Sequence, residues 1–292
     1  MQPGRASSTA RLIAAAVVAA GHDPCLRALV PPEAADWSAR FLNTDSARLL
    51  ALVQSRAGRW VARFAEQVLL PGIVRHWVVR KHAIEAIARR SASDGFSQLM
   101  VLGAGFDSLA FRLTSDSTFA RAVEADHPET QRVVSRTLDH IAGDVRRVAL
   151  VPIDLGHGTQ LDSLAQSLDP AQPTLIVCEG VLMYLCEPQV RSLLQALHEL
   201  PFPRARLIAT FMNRHPGGTI GFRSQSRLVG AWLRRRGEPM RWASTSDSFV
   251  RLLNNTGWRS LETHRASDLR RQRFPGADGP DDEDIMLAER MA

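Results

Sequence analysis

The chain has 292 residues, 45% of them hydrophobic, which suits one large α/β domain with an accessory segment or two small domains. The net charge is +6, but all but one of the 36 basic residues are arginine and acidic residues are interspersed, so we expect no nucleic-acid partner. No apolar run is long enough for a transmembrane helix, so we expect no membrane partner.

The three cysteines, Cys25, Cys178 and Cys186, are too few and wrongly spaced for a disulfide framework or a zinc site. We therefore expect a cytoplasmic protein with reduced thiols and no metal site.

Residues 1–95 are predicted to be helical throughout and to form an N-terminal cap that shapes the substrate side. Within this segment, Arg5 and Arg11 precede the apolar run Leu12–Ala20. Such a run fits a short signal peptide or an Ala-rich helix capped by Ser7, Ser8 or Thr9. We favour the helix, because the rest of the chain resembles a cytosolic enzyme.

From Ser97 onward, short apolar runs alternate with helical patterns. The alternation predicts a mainly parallel sheet with helices on both faces, in which ligands bind beyond the carboxyl ends of the strands. Predicted strands are Gln98–Leu102, Ala120–Ala125, Val148–Ile153, Thr174–Cys178 and Ala205–Met212. Predicted helices are Ser108–Thr114, Glu129–Ile141, Gln160–Leu168 and Pro188–Leu200.

The alternation pauses at about residues 215–242, a Gly- and Arg-rich stretch that we interpret as an insertion or lid. A helix over Ser246–Asn255 and strands over Trp258–His264 and Asp284–Glu289 follow. The second predicted domain is thus residues 96–292, with the insertion inside it.

Gly103 and Gly105 stand where the first strand turns into a helix, and glycine lets the backbone approach a ligand closely. A dinucleotide site would place a third glycine at position 108, which is Ser108. A nucleoside cofactor without a pyrophosphate does not need that glycine. The turn therefore favours such a cofactor over a nicotinamide dinucleotide.

Carboxylates follow the next three strands. Either Glu124 or Asp126 is placed to accept hydrogen bonds from both ribose hydroxyls. The two residues are two positions apart on one strand and point to the same side of the sheet, so side-chain parity does not choose between them. Asp154 either accepts from an adenine amino group or caps the following turn. Glu179 lies in apolar sequence, where a carboxylate needs a partner such as an amino group or a sulfonium.

Together these segments resemble the leucine carboxyl methyltransferase family of class I S-adenosylmethionine (SAM) methyltransferases. The matching blocks are Leu102–Asp107, Phe111–Leu113, Glu124–Pro128, Asp154-Leu155 and Glu179–Tyr184. The resemblance implies a Rossmann-like α/β fold with a seven-stranded, mainly parallel sheet. It also implies SAM as cofactor and S-adenosylhomocysteine as product.

The resemblance assigns Asp126 to the ribose, Asp154 and Leu155 to adenine, and Glu179 to the methionine portion of SAM. It places Arg80 against the SAM carboxylate, with Arg11 as a weaker second candidate. Tyr184 and His82 are candidates for the acceptor pocket. The predicted cofactor-binding residues are therefore Arg80, Gly103, Gly105, Asp126, Asp154, Leu155 and Glu179.

The expected reaction is O-methylation, with a carboxylate of a small molecule or a peptide as the first choice of acceptor. A carboxylate is ionised at neutral pH and needs no general base, so no catalytic residue is named. A hydroxyl acceptor, a nicotinamide-dependent oxidoreductase and a non-catalytic SAM-fold protein remain alternatives. The sequence leaves the oligomeric state open.

Overall fold

The computed structural model describes residues 5–141, 147–156 and 161–291. Four helices come first: α1 (Ser8–Gly21), α2 (Ala34–Gln54), α3 (Arg56–Leu69) and α4 (Ile73–Ser93). The Ser7 hydroxyl caps α1 by accepting from the Ala10 N–H at 3.1 Å. The apolar run of the sequence thus forms a helix here, and that helix packs closely along α2.

Seven strands form one sheet in the order β3-β2-β1-β4-β5-β7-β6. Only β7 runs opposite to the others, pairing antiparallel with both β5 and β6. The seven-stranded, mainly parallel sheet is therefore confirmed. The strands are β1 (Gln98–Leu102), β2 (Arg121–Asp126), β3 (Val148–Pro152), β4 (Thr174–Cys178), β5 (Ala205–Met212), β6 (Trp258–His264) and β7 (Glu283–Arg290).

In the described ranges, seven further helices connect or flank these strands, and the insertion at about residues 215–242 contains one of them, α9. The predicted helix over 160–168 begins outside the described residues, and its described part is the single turn of α7. An unpredicted helix, α11, carries mostly polar residues and buries only Ala266, so it has little apolar periodicity. The helices are α5 (Leu109–Ser115), α6 (Pro128–Leu138), α7 (Asp162–Ala165), α8 (Glu187–His198), α9 (Arg227–Arg236), α10 (Ser246–Asn254) and α11 (Ala266–Arg273).

The sheet is buried on both faces, and alternate residues of each strand enter different cores. On β1, Met100 and Leu102 join the core beneath α8 and α10, whereas Leu99 and Val101 join the core beneath α1, α2 and α5. Burial on both faces explains why β1 reads as an unbroken apolar run. No helix in the described ranges is long and apolar enough to cross a bilayer.

Candidate cofactor site

A cavity of about 420 Å³ opens above the carboxyl ends of β1 and β4, where the strand order reverses direction. This switch point is where open α/β sheets bind ligands, and the volume suits a small-molecule cofactor. The sequence candidates that line it are Arg80, Gly103, Gly105, Asp126, Asp154, Leu155, Glu179 and Tyr184.

The glycine turn after β1 forms the cavity floor. Gly103 and Gly105 have φ angles of +63° and +62°, in the left-handed region that favours glycine. A Cβ on Gly103 would lie 2.2 Å from Val181 Cγ2, and one on Gly105 would lie 3.2 Å from Ala10 Cβ. Val181, in the segment after β4, therefore requires glycine at 103, and Ala10 of α1 favours glycine at 105.

Asp126, at the end of β2, is fastened to this turn. Its Oδ2 accepts from the Gly105 N–H and its Oδ1 from the His127 N–H, both at 2.6 Å. Burial raises the pKa of Asp126, although these two N–H groups oppose the shift. A carboxylate has further lone pairs, so Asp126 can still accept from ribose hydroxyls.

Glu124, two residues earlier on β2, is fully enclosed and does not line the cavity. Burial raises its pKa well above the ordinary value, and the negative charges of Asp107 and Asp126 add to the shift. Burial therefore favours the neutral form of this carboxyl group. Of the two carboxylates that side-chain parity left equivalent, only Asp126 reaches the cavity.

Asp154 caps the turn that follows β3 and also lines the cavity. Its Oδ1 accepts from the Gly156 N–H at 2.9 Å, as expected for a turn cap, and the residue also lines the cavity with Leu155. Gln189 of α8 donates to the Gly156 carbonyl at 2.6 Å. This wall of the cavity is therefore fixed by a turn that two side chains support.

A buried ion cluster forms the opposite wall, and Arg80 of α4 is its centre. Arg80 Nε and Nη2 lie 2.9 and 2.8 Å from Glu179 Oε1, and Nη1 donates to Glu283 Oε2 at the start of β7. Burial alone would raise the pKa of Glu283, but the charge of Arg80 and a hydrogen bond from His76 hold it at about 2. The same carboxylates raise the pKa of Arg80 against the opposing effect of burial.

Lys81, the only lysine of the chain, extends this wall. Its Nζ lies 2.6 Å from Asp107 Oδ2 and 3.4 Å from Glu179 Oε2. Burial would lower the pKa of Lys81, but these carboxylates raise it, so the ammonium stays charged. Sequence reasoning did not assign Lys81 to the site, and its rarity among so many arginines was the available signal.

The position of Asp107, just before the first helix of the domain, predicts a helix cap. Helix α5 instead begins at Leu109 without a side-chain cap, and the Asp107 carboxylate is paired with Lys81. Burial would raise the pKa of Asp107, but the Lys81 ammonium holds it below the ordinary value. The cap interpretation was therefore wrong, because a buried ammonium is the stronger partner.

The roof of the cavity joins the start of α1 to the insertion between β5 and β6. Glu238, just after α9, accepts from the Ser8 and Thr9 N–H groups at 2.7 and 3.0 Å and from the Thr9 hydroxyl at 2.6 Å. Burial raises the pKa of Tyr184 to about 12, with a Thr9 hydrogen bond opposing the shift. These roof contacts have no local sequence signal, because Glu238 and Thr9 are 229 positions apart.

Two basic candidates lie elsewhere. The His82 ring lies 3.1 Å from Arg273 Nη2 on α11, and Arg11 is paired with Asp45 of α2. Neither is among the described residues that line the cavity. No group of three or more potential metal-ligating side chains is found in the described part of the chain.

The sequence model of leucine carboxyl methyltransferases matches residues 5–198. A Frankia alni protein named as an S-adenosyl-L-methionine-dependent methyltransferase is 32% identical over 139 residues, 47% of this chain and 48% of its own length. A Mycolicibacterium smegmatis protein of the same description is 28% identical over 229 residues, 75% of this chain and 72% of its own. The first match thus spans about half of its relative.

Two solved structures show the same fold. A methyltransferase from Thermobifida fusca superposes with a TM-score of 0.59 at 17% identity, covering 87% of this chain and 94% of its own. A DUF574 family protein from Streptomyces avermitilis superposes with a TM-score of 0.60 at 16% identity, covering 87% of this chain and 97% of its own. The fold is therefore that of class I SAM methyltransferases.

We predict that Glu283→Gln destabilises the protein by about 3–5 kcal/mol, because it leaves part of the buried Arg80 charge without a partner. Glu262→Gln, which breaks an exposed pair with Arg90, is the matched control and should cost under about 1 kcal/mol. Urea unfolding at neutral pH measures both. Equal, small effects would contradict a structural role for the buried pair.

The stabilisation that ionised Glu283 gives the folded protein depends on pH. The pKa of Glu283 is about 2 in the folded protein and 4.5 ordinarily, so its stabilisation is complete above pH 4.5. That stabilisation is lost as the pH falls toward 2. The stability difference between wild type and Glu283→Gln should therefore narrow over this interval.

Proposed function

The chain belongs to the leucine carboxyl methyltransferase family of SAM-dependent enzymes, and from this premise we propose that it transfers the methyl group of SAM to a carboxylate oxygen. The observation that carries the proposal is the charge of the cavity wall. The ion cluster of Arg80, Lys81, Asp107, Glu179 and Glu283 holds two positive and three negative charges, a formal net charge of −1.

This net charge suits the cofactor. SAM carries a sulfonium, an ammonium and a carboxylate, a net charge of +1, so its amino-acid end complements the ion cluster. A pyrophosphate beside the same wall would meet unfavourable negative charge, which argues against a nicotinamide dinucleotide. The adenosine end would then lie toward Asp126 and Asp154, at the ends of β2 and β3.

We assign the contacts of SAM accordingly. Asp126 accepts from the ribose hydroxyls, and Asp154 and the Leu155 N–H hold adenine. Gly103 and Gly105 allow the backbone to approach the cofactor, and Glu179 faces its ammonium or sulfonium. Both cations are paired with carboxylates, but the Lys81 side chain is 15% exposed and the Arg80 side chain 5%, so we prefer Lys81 for the cofactor carboxylate.

SAM supplies an activated methyl group, so the protein has to position the acceptor oxygen and exclude water. Positioning can supply roughly 7–11 kcal/mol in favourable cases. Tyr184, with a pKa of about 12, stays protonated at neutral pH and is not a base. Asp107 and Glu179, two of the carboxylates that line the cavity, are paired with cations, which favours an acceptor that is already ionised.

The location and the acceptor are part of the same proposal. All three cysteines are free thiols, in keeping with the expected cytoplasmic location. The acceptor carboxylate belongs to a small molecule or to a peptide. His82 is dropped as a candidate for the acceptor pocket, since its ring contacts Arg273 away from the cavity.

We expect Asp126→Ala to weaken binding of S-adenosylhomocysteine by about tenfold to a hundredfold, because it removes hydrogen bonds to a charged acceptor. Isothermal titration calorimetry measures this affinity, with Asp139→Ala, at an exposed position just after α6, as the control. Asp126→Asn keeps an acceptor for the Gly105 N–H and should lose less. Unchanged affinity in Asp126→Ala would remove the ribose assignment.

Lys81→Met should lower the affinity for S-adenosylhomocysteine about tenfold, while Lys81→Arg retains most of it. The affinity for 5′-methylthioadenosine, which lacks the amino-acid end, should not change in Lys81→Met. Calorimetry with both ligands tests this. An equal loss for both ligands would mean that Lys81 only supports Asp107 and the glycine turn.

Carboxyl methylation is tested with SAM labelled in the methyl group and a panel of carboxylic acids and phenols. Methyl esters release labelled methanol in mild base, whereas methyl ethers do not, so we expect volatile label from the acids. Base-stable label would favour the hydroxyl alternative. Cofactor binding without any turnover would support a non-catalytic protein, and no cofactor binding would refute the proposal.

A further inference from the structure

Helix α3 exposes an apolar face that no described element covers. Trp60, Val61, Phe64 and Val68 are 69, 51, 63 and 60% exposed, and we call these four residues the α3 stripe. Their spacing places them on one side of the helix. The Trp60 and Phe64 rings stack with centroids 6.1 Å apart, while only Gly58 of α3 is buried.

The charges around the α3 stripe are mostly positive. Arg56, Arg59 and Arg63 lie along one flank by helical spacing. Arg63 is paired with Asp23, and Arg59 also donates to the Gln54 carbonyl at the end of α2. The single acid of α3, Glu66, turns inward and accepts from the Val74 N–H at 3.1 Å. The exposed side of α3 therefore combines aromatic and aliphatic groups with arginines and carries no acid.

A second basic helix adjoins the end of α3. The Ser226 N–H donates to the Leu69 carbonyl at 2.8 Å, which ties the start of α9 to the end of α3. Helix α9 contains four arginines and no acid, and its Leu228 is 70% exposed. The chain then continues into Gly237, Glu238, Pro239 and Arg241, which line the cofactor cavity.

We propose that the α3 stripe docks on the surface of an anionic phospholipid membrane. A helix with exposed Trp, Phe and Val beside arginines lies in the membrane interface, with its rings among the acyl chains and its guanidinium groups at the phosphates. The helix has 14 residues, about 21 Å, lying along the protein surface. The net charge of +6 also attracts the protein to an anionic surface.

The charge pattern favours a lipid surface over a second copy of the chain. Two α3 helices packed face to face and antiparallel about a two-fold axis would bring their arginine rows together. The sequence expectation of no membrane partner rested on the absence of a spanning segment. A peripheral helix needs no such segment, and the proposal does not depend on the identity of the methyl acceptor.

The experiment is flotation of the full chain with vesicles of phosphatidylglycerol and phosphatidylcholine in equal parts, compared with vesicles of phosphatidylcholine alone. We expect binding to the anionic vesicles only, weakened by added salt. Trp60→Ser/Phe64→Ser should lose most of this binding. Leu261→Ser, at an exposed leucine of the edge strand β6, is its control.

A second pair of variants isolates the charge. Arg56→Gln/Arg59→Gln should weaken binding about fivefold per arginine. Arg251→Gln/Arg259→Gln, at exposed positions on α10 and β6, lowers the net charge by the same amount. This control should weaken vesicle binding far less. Circular dichroism and S-adenosylhomocysteine binding check that every variant remains folded.

Three kinds of result would overturn the proposal. The first is equal flotation with both vesicle types, or no flotation of the wild type. The second is binding that survives Trp60→Ser/Phe64→Ser. The third is a wild-type dimer in sedimentation that Trp60→Ser/Phe64→Ser converts to a monomer, which would make the α3 stripe a contact between two copies.

Discussion

The buried ion pairs of Arg80 connect the parts of this molecule that form its site. A guanidinium removed from water has to be matched by carboxylates. Here one comes from the end of β4 and the other from the start of β7, while Arg80 itself lies on α4. Pairing therefore fixes an N-terminal helix against two strands that lie far from it in the chain. The adjacent Lys81 extends the same constraint to Asp107, just after the glycine turn.

The cavity exists because three distant segments meet at the switch point of the sheet. The glycine turn and Asp126 form the floor, the ion cluster forms one wall, and the start of α1 with Glu238 forms the roof. Helices α1 and α4 thus line the candidate cofactor cavity. The extent of the family match, which begins at residue 5, agrees with this arrangement. Whether residues 1–95 form a separate domain stays a prediction.

Helices α1 and α3 show why amphipathic periodicity predicts a helix but not its partner. The apolar residues of α1 enter the core against α2, whereas the α3 stripe faces outward. Both segments are predicted to be helical from the sequence. Burial depends on which elements surround the helix, and that is a property of the whole fold. The exposed face and the inward turn of Glu66 are visible only in three dimensions.

The sequence by itself determined the strands, the glycine turn and the acidic strand ends. Strands β1, β4, β5 and β6 have the predicted limits, and β2, β3 and β7 differ by one residue at one or both ends. These features are local, because a strand buried on both faces needs a continuous apolar run and a tight turn needs glycine. Tertiary structure alone decided that Asp126 and not Glu124 reaches the cavity, that Asp107 pairs with Lys81, and that Glu238 joins α1. Each of these depends on which charges meet after distant segments pack, and the energy of a buried charge is set by its neighbours in space.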